Sequence, residues 1–251
     1  MLPYKTFSTI ELGFLKFHVW GIFVALGFLV GIFLAAREAK RRKLDPEIMY
    51  DAAPWIILGS VIGARLVFLI ENPWAVTGFM DIISVWKGGM AFHGGFFGAL
   101  IAGFIFVKRK KINLWKYADA AAPSIAIGHA IGRVGCFLTG LHIGKETSVP
   151  WAVMHEGKLR HATPLYEFIA LIGIFALLMW LRKRKISQSF DGFLFAAYIA
   201  AYSFVRFFIE FFREDPAYFG FTIAQYIVAV LFVASAGIIV KKLAAKGSRA
   251  D

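Results

Sequence analysis

Seven apolar runs set the terms for anything this chain can fold into. They lie near residues 17–36, 51–70, 89–107, 117–138, 164–181, 192–212 and 222–240. Each approaches the roughly 20 residues that a helix needs to cross a hydrocarbon layer. The strict apolar–polar alternation of a membrane barrel is absent, so helices are expected, because only helices and closed barrels satisfy every backbone group in lipid. The second and fourth runs are the least apolar. Each carries Gly, Ala and a charge, as expected of a helix packed inside a bundle. With 59% hydrophobic residues and a mean hydropathy of +0.67, the chain is too apolar for disorder and exceeds the usual soluble composition. The expected fold is an all-α integral membrane protein with seven transmembrane helices. It forms one domain over residues 1–251, with 140–163 as an external segment between spans four and five.

Charge placement orients the bundle. The chain has 28 Lys+Arg against 16 Asp+Glu, a net charge of +12. Eighteen of those basic residues follow odd-numbered runs: Arg37 and Lys40 to Lys43, Lys108 to Lys111 with Lys116, Arg182 to Lys185, and Lys241, Lys242, Lys246 and Arg249. The positive-inside rule puts those ends in the cytoplasm, so the N-terminus is expected outside and the C-terminus inside. No stacking aromatics are interleaved with the basic blocks, so nucleic acid is not an expected partner. The first 16 residues carry Glu11 and no apolar core, and no cleavable signal peptide is expected. The single cysteine, Cys136, excludes an intramolecular disulfide and a thiolate-rich zinc site. No internal repeat suggests an inverted-repeat transporter.

In this orientation Arg65, His93, Arg133 and Arg206 fall at similar depth toward the outer face, on four different spans. Charges at that depth are costly, about 2.5–3.5 kcal/mol each on insertion scales. Several at one level point to a shared polar cavity opening outward. Glu210 stands four residues after Arg206 and can pair with it. The positive charge of the set exceeds what Glu210 and Glu71 neutralise, so an anion is expected to complete the site. In a bilayer a lipid phosphate fits, since Arg grips phosphate bidentately. The alternative is an internal ion-pair network with no ligand.

Glycines flank these charges. His93 stands in Gly88-Gly89-Met90-Ala91-Phe92-His93-Gly94-Gly95, where a ligand or another backbone can approach closely. Arg133 stands in Gly132-Arg133-Val134-Gly135-Cys136-Phe137-Leu138-Thr139-Gly140, leading to Gly144. That density of glycine predicts irregular backbone at the end of the fourth span. His129 and Cys136, one turn either side of Arg133, read as packed core residues, with a reactive thiol as the alternative for Cys136.

At these residues the chain resembles the bacterial prolipoprotein diacylglyceryl transferase family. The likeness runs in order through Gly63-Ala64-Arg65 and Trp86-Lys87 to Gly95. It continues through Ala118-Asp119, Ala122-Pro123, Gly132-Arg133-Val134-Gly135 and Gly144, then Arg160-His161, Leu165-Tyr166-Glu167, Arg206 to Arg213, and Gln225. The resemblance implies a seven-helix inner-membrane enzyme that moves the diacylglyceryl group of phosphatidylglycerol onto the lipobox cysteine thiol of a prolipoprotein. Glycerol phosphate leaves, and no metal or diffusible cofactor is used. It implies catalytic roles for His93, Arg133 and Arg206, and substrate contacts for Arg65, Glu210, Gly94, Gly95, Gly144, Arg160 and His161. Its partners are phosphatidylglycerol, the prolipoprotein signal peptide and the surrounding lipid, with the site toward the outer leaflet. The chain departs from the family pattern at Trp20, Cys136, Thr139 and Leu141, where Tyr, Asn, Asn and Glu are usual. A related transferase with another donor or acceptor, or a non-catalytic lipid-binding paralogue, is the alternative reading.

Overall fold

The structure, a computed structural model, describes residues 4–12, 15–75, 78–85 and 88–247. Trp86, Lys87 and Arg249, named above, lie outside the described residues. The helices described are α1 (Val19–Arg41), α2 (Glu47–Glu71), α3 (Phe79–Ile83), α4 (Phe92–Lys110), α5 (Leu114–Thr139), α6 (Thr163–Leu181), α7 (Phe193–Ile209) and α8 (Ile223–Gly247). Among the described residues are three antiparallel hairpins: β1 (Thr9–Leu12) with β2 (Leu15–His18) before α1, β3 (Val153–His155) with β4 (Lys158–Arg160) between α5 and α6, and β5 (Ala217–Tyr218) with β6 (Phe221–Thr222) between α7 and α8. Apart from the short α3, every helix covers one of the apolar runs. Among the described residues six helices are long and apolar enough to cross a membrane: α1, α2, α5, α6, α8, and α7 with its 3-10 continuation Glu210–Phe212. The fold is that of an all-α membrane protein. The 19-residue α4 carries His93 in its first turn and Lys108, Arg109 and Lys110 in its last, which shortens its apolar stretch.

The chain divides into two compact units. One holds the residues up to Glu38 and those from Ala118 onward; the other holds Ala39–Tyr117.

In the first unit α1 and α5 touch through glycine. A Cβ on Gly27 would lie 2.5 Å from the Gly128 carbonyl oxygen. The α5 helix stays regular past Gly132 and Gly135 to Thr139, so the irregular backbone expected within that stretch is absent. Gly135 gives room to Phe23 instead, whose Cβ is 2.7 Å from where a glycine Cβ would stand. Irregular chain begins at Gly140 (φ 75°) and His142 (φ 62°). Asp119 of α5 accepts hydrogen bonds from the backbone N–H of Gly192 (2.9 Å) and Phe195 (3.0 Å). It thus caps the N-terminus of α7 from a neighbouring helix, where a negative charge is also favoured by the helix dipole. Around that cap, Ala122, Ala126, Ile174, Leu178, Phe193, Leu194 and Tyr198 form a buried apolar core.

The segment between α5 and α6 is held by its own backbone. Glu156 (φ 50°) and Gly157 (φ 76°) turn the β3–β4 hairpin with two left-handed residues, as tight hairpins favour. Gly144 donates its N–H to the His161 carbonyl at 2.9 Å, and Lys145 donates to the Phe212 carbonyl at 2.8 Å. A side chain at Gly144 would collide with that Phe212 oxygen and with Thr163.

In the second unit α2 and α4 pack backbone to backbone. Gly59 and Gly63 face Gly94 and Gly98, so each helix offers two glycines four residues apart, the spacing that lets membrane helices approach closely. A Cβ on Gly59 would sit 2.6 Å from the Gly98 carbonyl oxygen, and one on Gly94 would sit 2.7 Å from Val67 Cβ. The second run was expected inside a bundle. The structure differs: only Ala64 and Arg65 of α2 are buried, and Leu58, Ile62 and Leu66 are exposed. Its small residues serve one narrow face against α4, while the other faces stay apolar and bare. The fourth run does pack inside, with Ala120, Ala122, Ala126 and Ala130 of α5 fully buried.

Candidate active site

In the first unit three helices bring charged side chains to one point. Arg133 lies on α5, six residues before its end. Glu167 lies in the opening turns of α6, after Pro164. Arg206 lies in the last turn of α7. An acidic group near a helix start and a basic group at a helix end are both favoured by the macrodipole. Glu167 Oε1 stands 3.0 Å from Arg133 Nη2 and 3.9 Å from Arg206 Nε. Tyr202, one turn before Arg206, donates its hydroxyl to the same oxygen at 3.0 Å. Glu167 is buried, and a carboxylate there persists because it is paired and hydrogen-bonded. Arg133 Nε donates to His129 Nε2 at 3.2 Å, so His129 is an acceptor at that nitrogen.

A second carboxylate continues the chain of charges. Arg206 Nη2 stands 2.6 Å from Glu210 Oε2 and Arg213 Nε stands 3.4 Å from it. These are charge contacts without hydrogen-bond alignment, since that oxygen accepts no hydrogen bond. Glu210 Oε1 accepts from the Thr222 hydroxyl at 2.9 Å. Thr222 N–H donates to Gln225 Oε1 at 2.9 Å, and Gln225 Nε2 donates to the Phe207 carbonyl at 3.2 Å, so α8 braces α7 beside Arg206. Arg213 Nε also bonds Asp215 at 2.6 Å.

The pairing of Arg206 with Glu210 is as expected from their spacing. For Arg133 and Arg206 a further carboxylate, Glu167, enters the count. Arg133, Arg206 and Arg213 meet Glu167, Glu210 and Asp215, one carboxylate for each guanidinium. The sequence count left out Glu167 because it lies on another helix, 34 residues from Arg133 and 39 from Arg206. One donor nevertheless stays open: Arg206 Nη1 is buried and has no hydrogen-bond partner. A buried cationic N–H without an acceptor is costly, and such a group invites an anionic oxygen.

His142 is the residue that sequence reasoning passed over. It follows α5 by three residues in a left-handed conformation. Partial burial, then the charges of Arg213, Arg133 and Arg206, lower its pKa to about 4, with Glu167 opposing. The imidazole is therefore neutral at working pH and senses all three guanidiniums. Its position gave no signal, because it lies beyond the fourth apolar run and no helical spacing relates it to Arg133 or Arg206.

Gly144, Arg160 and His161 are gathered in the 140–163 segment of the same unit. Arg160 Nη1 donates to the Gly144 carbonyl at 3.2 Å and to Glu214 at 2.5 Å. His161 Nδ1 lies 3.0 Å from the Tyr166 hydroxyl, which also accepts from Trp151 Nε1 at 2.9 Å, and its ring packs on Phe212. Burial keeps the His161 pKa below the ordinary histidine range.

Arg65, His93, Gly94 and Gly95 belong to the second unit. Arg65 is buried and commits its donors to main-chain carbonyls: Ile82 (3.1 Å), Gly88 (2.8 Å), Gly89 (2.9 Å) and Asp81. Of the five N–H groups of a guanidinium, one is left. Its plane also lies over Phe68. His93 is exposed on the first turn of α4. Gly94 and Gly95 are buried against Gly63, Val67 and Ser60 of α2, so the backbone that approaches these glycines closely is a helix of the protein itself. Among the described residues no group of three His, Cys, Asp or Glu side chains is placed to hold a metal ion.

The sequence pattern of the prolipoprotein diacylglyceryl transferases matches residues 8–241, almost the whole chain and every residue of this site. The chain belongs to that family. A phosphatidylglycerol–prolipoprotein diacylglyceryl transferase of Thermosynechococcus vestitus is 34% identical over 235 residues, covering 89% of this chain and 87% of the relative. One from Listeria welshimeri is 36% identical over 245 residues, covering 92% and 87%. One from Listeria innocua is 35% identical over the same length and shares. Within this diacylglyceryl transferase family member, Arg133, Glu167, Arg206 and Glu210 form the charged centre. Cys136, where the family usually has Asn, is a buried free thiol beside it.

Proposed function

We propose that this chain transfers the diacylglyceryl group of phosphatidylglycerol to the lipobox cysteine of a prolipoprotein, in the outer leaflet of a bacterial inner membrane. The observation that carries the reading is the open Arg206 Nη1, buried beside a carboxylate that Arg206 shares with Arg133. A phosphate oxygen seated there completes the guanidinium. Family membership supplies the reaction class.

In the proposed step the peptide thiolate attacks C3 of the diacylated glycerol. A C–S bond forms and the C–O bond to phosphate breaks. The electron pair stays on the phosphate oxygen, and glycerol phosphate leaves. Arg206 and Arg133 hold that phosphate and stabilise the charge that builds on it. Glu167 and Glu210 keep the two guanidiniums in place. The family resemblance gives His93 the part of accepting the thiol proton. Arg65, Gly94 and Gly95 fix the backbone around His93. Gly144, Arg160 and His161 of the 140–163 segment face the peptide. Seven crossings, with the N-terminus outside and the C-terminus in the cytoplasm, follow from the basic blocks.

The test is conversion of a lipobox peptide, read as a mass gain on the cysteine in vesicles containing phosphatidylglycerol. Arg133→Ala, Arg206→Ala and His93→Ala should each remove the gain while the folded protein is still recovered. Full conversion by either arginine variant would falsify the phosphate grip. The residues at Cys136, Thr139 and Leu141 favour a second reading, a different donor or acceptor. A product of another mass selects it, and retained lipid without any product selects a binding protein.

A further inference from the structure

Away from the charged centre, the second unit carries an apolar cleft between α2 and α4 with a volume of about 630 Å³. Its floor is the line of four glycines at which the two helices touch. Its walls include Trp55, Leu58, Ile62, Phe97, Ile101 and Ile105. Apart from the Trp55 indole, no lining side chain carries a polar atom. The cleft follows α2 from Pro54 to Val67, about 20 Å at 1.5 Å per residue. That is enough for the acyl layer of one leaflet, about half of a 30 Å core.

The two ends of the cleft differ in charge. Arg109 lies over the Trp55 ring, 5.2 Å from its centre, and Lys108 lies 4.7 Å over Phe104. Lys111 follows on the left-handed residue that ends α4. Asp51 in this corner is already paired with Lys110 at 2.7 Å, and Asp45 acts on that same lysine. The Arg109 end therefore keeps a positive charge without a matching carboxylate among the contacts that hold it. At the opposite end Arg65 has turned its donors to backbone carbonyls. An apolar slot with one cationic mouth, rimmed by Trp55 and the exposed Tyr50, matches a lipid with an anionic headgroup.

We propose that this cleft is a resident-lipid site, holding one acyl chain of an anionic glycerophospholipid along the glycine floor with its phosphate at Arg109 and Lys108. It lies within the Ala39–Tyr117 unit, whereas Arg133 and Arg206 belong to the other, and it rests on the membrane setting rather than on the reaction.

The test is native mass spectrometry of the full chain released from micelles after exposure to phosphatidylglycerol or phosphatidylcholine. Wild-type protein should retain phosphatidylglycerol in preference. Arg109→Gln should lower that retention about fivefold, the scale of one basic side chain at a lipid surface. Ile62→Trp, which fills the slot from an exposed position, should lower it without touching a charge. Arg133→Ala should remove a different lipid, so that Arg109→Gln with Arg133→Ala loses both. Equal retention of the two lipids overturns the proposal. So does retention unchanged in both cleft variants, or a dimer that Ile62→Trp dissociates, which would give the cleft to a second copy. Failure here leaves the transfer reading standing, because peptide conversion is a separate readout.

Discussion

Tyr202 and Arg133 reach the same oxygen of Glu167, at 3.0 Å each, from two different helices. With Arg206 on the far side at 3.9 Å, that oxygen is the point where α5, α6 and α7 are tied together by charge.

Glu167→Gln should therefore be severe. It leaves the largely buried Arg133 without its carboxylate and removes the charge that Arg206 shares. Breaking a buried pair by removing one partner costs about 3–5 kcal/mol. A drop of many degrees in Tm, measured by thermal unfolding in detergent, is expected along with loss of peptide conversion. An unchanged Tm would show that the carboxylate carries little of the structure.

Gly94→Ala should destabilise without any change in charge. The added methyl meets Val67 Cβ at 2.7 Å and the Gly63 backbone. Overpacking of this kind costs about 1–3 kcal/mol. Gly103→Ala is the control on the same helix, since its nearest neighbour would be Ile56 Cγ1 at 4.0 Å. Equal Tm values for the two variants would mean that α2 and α4 separate easily.

Stability should fall on acidification through a defined window. His142 has a folded pKa of about 4 against an ordinary 6.5. Between those values the unfolded chain binds the proton and the folded chain does not, so unfolding gains as pH drops. The contribution is complete above pH 6.5 and declines toward pH 4. His142→Asn should flatten that part of the Tm–pH curve. A slope identical to wild type would remove His142 as its source.

The helices were legible because lipid imposes one rule, a run of about 20 apolar residues, on every crossing. The pairing of Arg206 with Glu210 was legible for the same local reason, a spacing of one helical turn. Glu167 was not, because its partners lie on α5 and α7 and nothing in the spacing announces a contact between helices. Gly94 and Gly95 were rightly seen as places of close approach, yet the sequence does not say whether a ligand or a helix approaches. Here Gly63 answers. For α2, small residues were read as a sign of all-round burial, when one narrow face against α4 accounts for them.

Arg65 recognises only carbonyl oxygens, at Ile82, Gly88 and Gly89 as well as Asp81. Such a clasp is satisfied by backbone alone, and it makes its own demand on the sequence. Gly88 and Gly89 offer their carbonyls from positive φ (85° and 77°), and a side chain at Gly89 would strike Phe68 and the guanidinium, so descent can vary this stretch least at those two glycines.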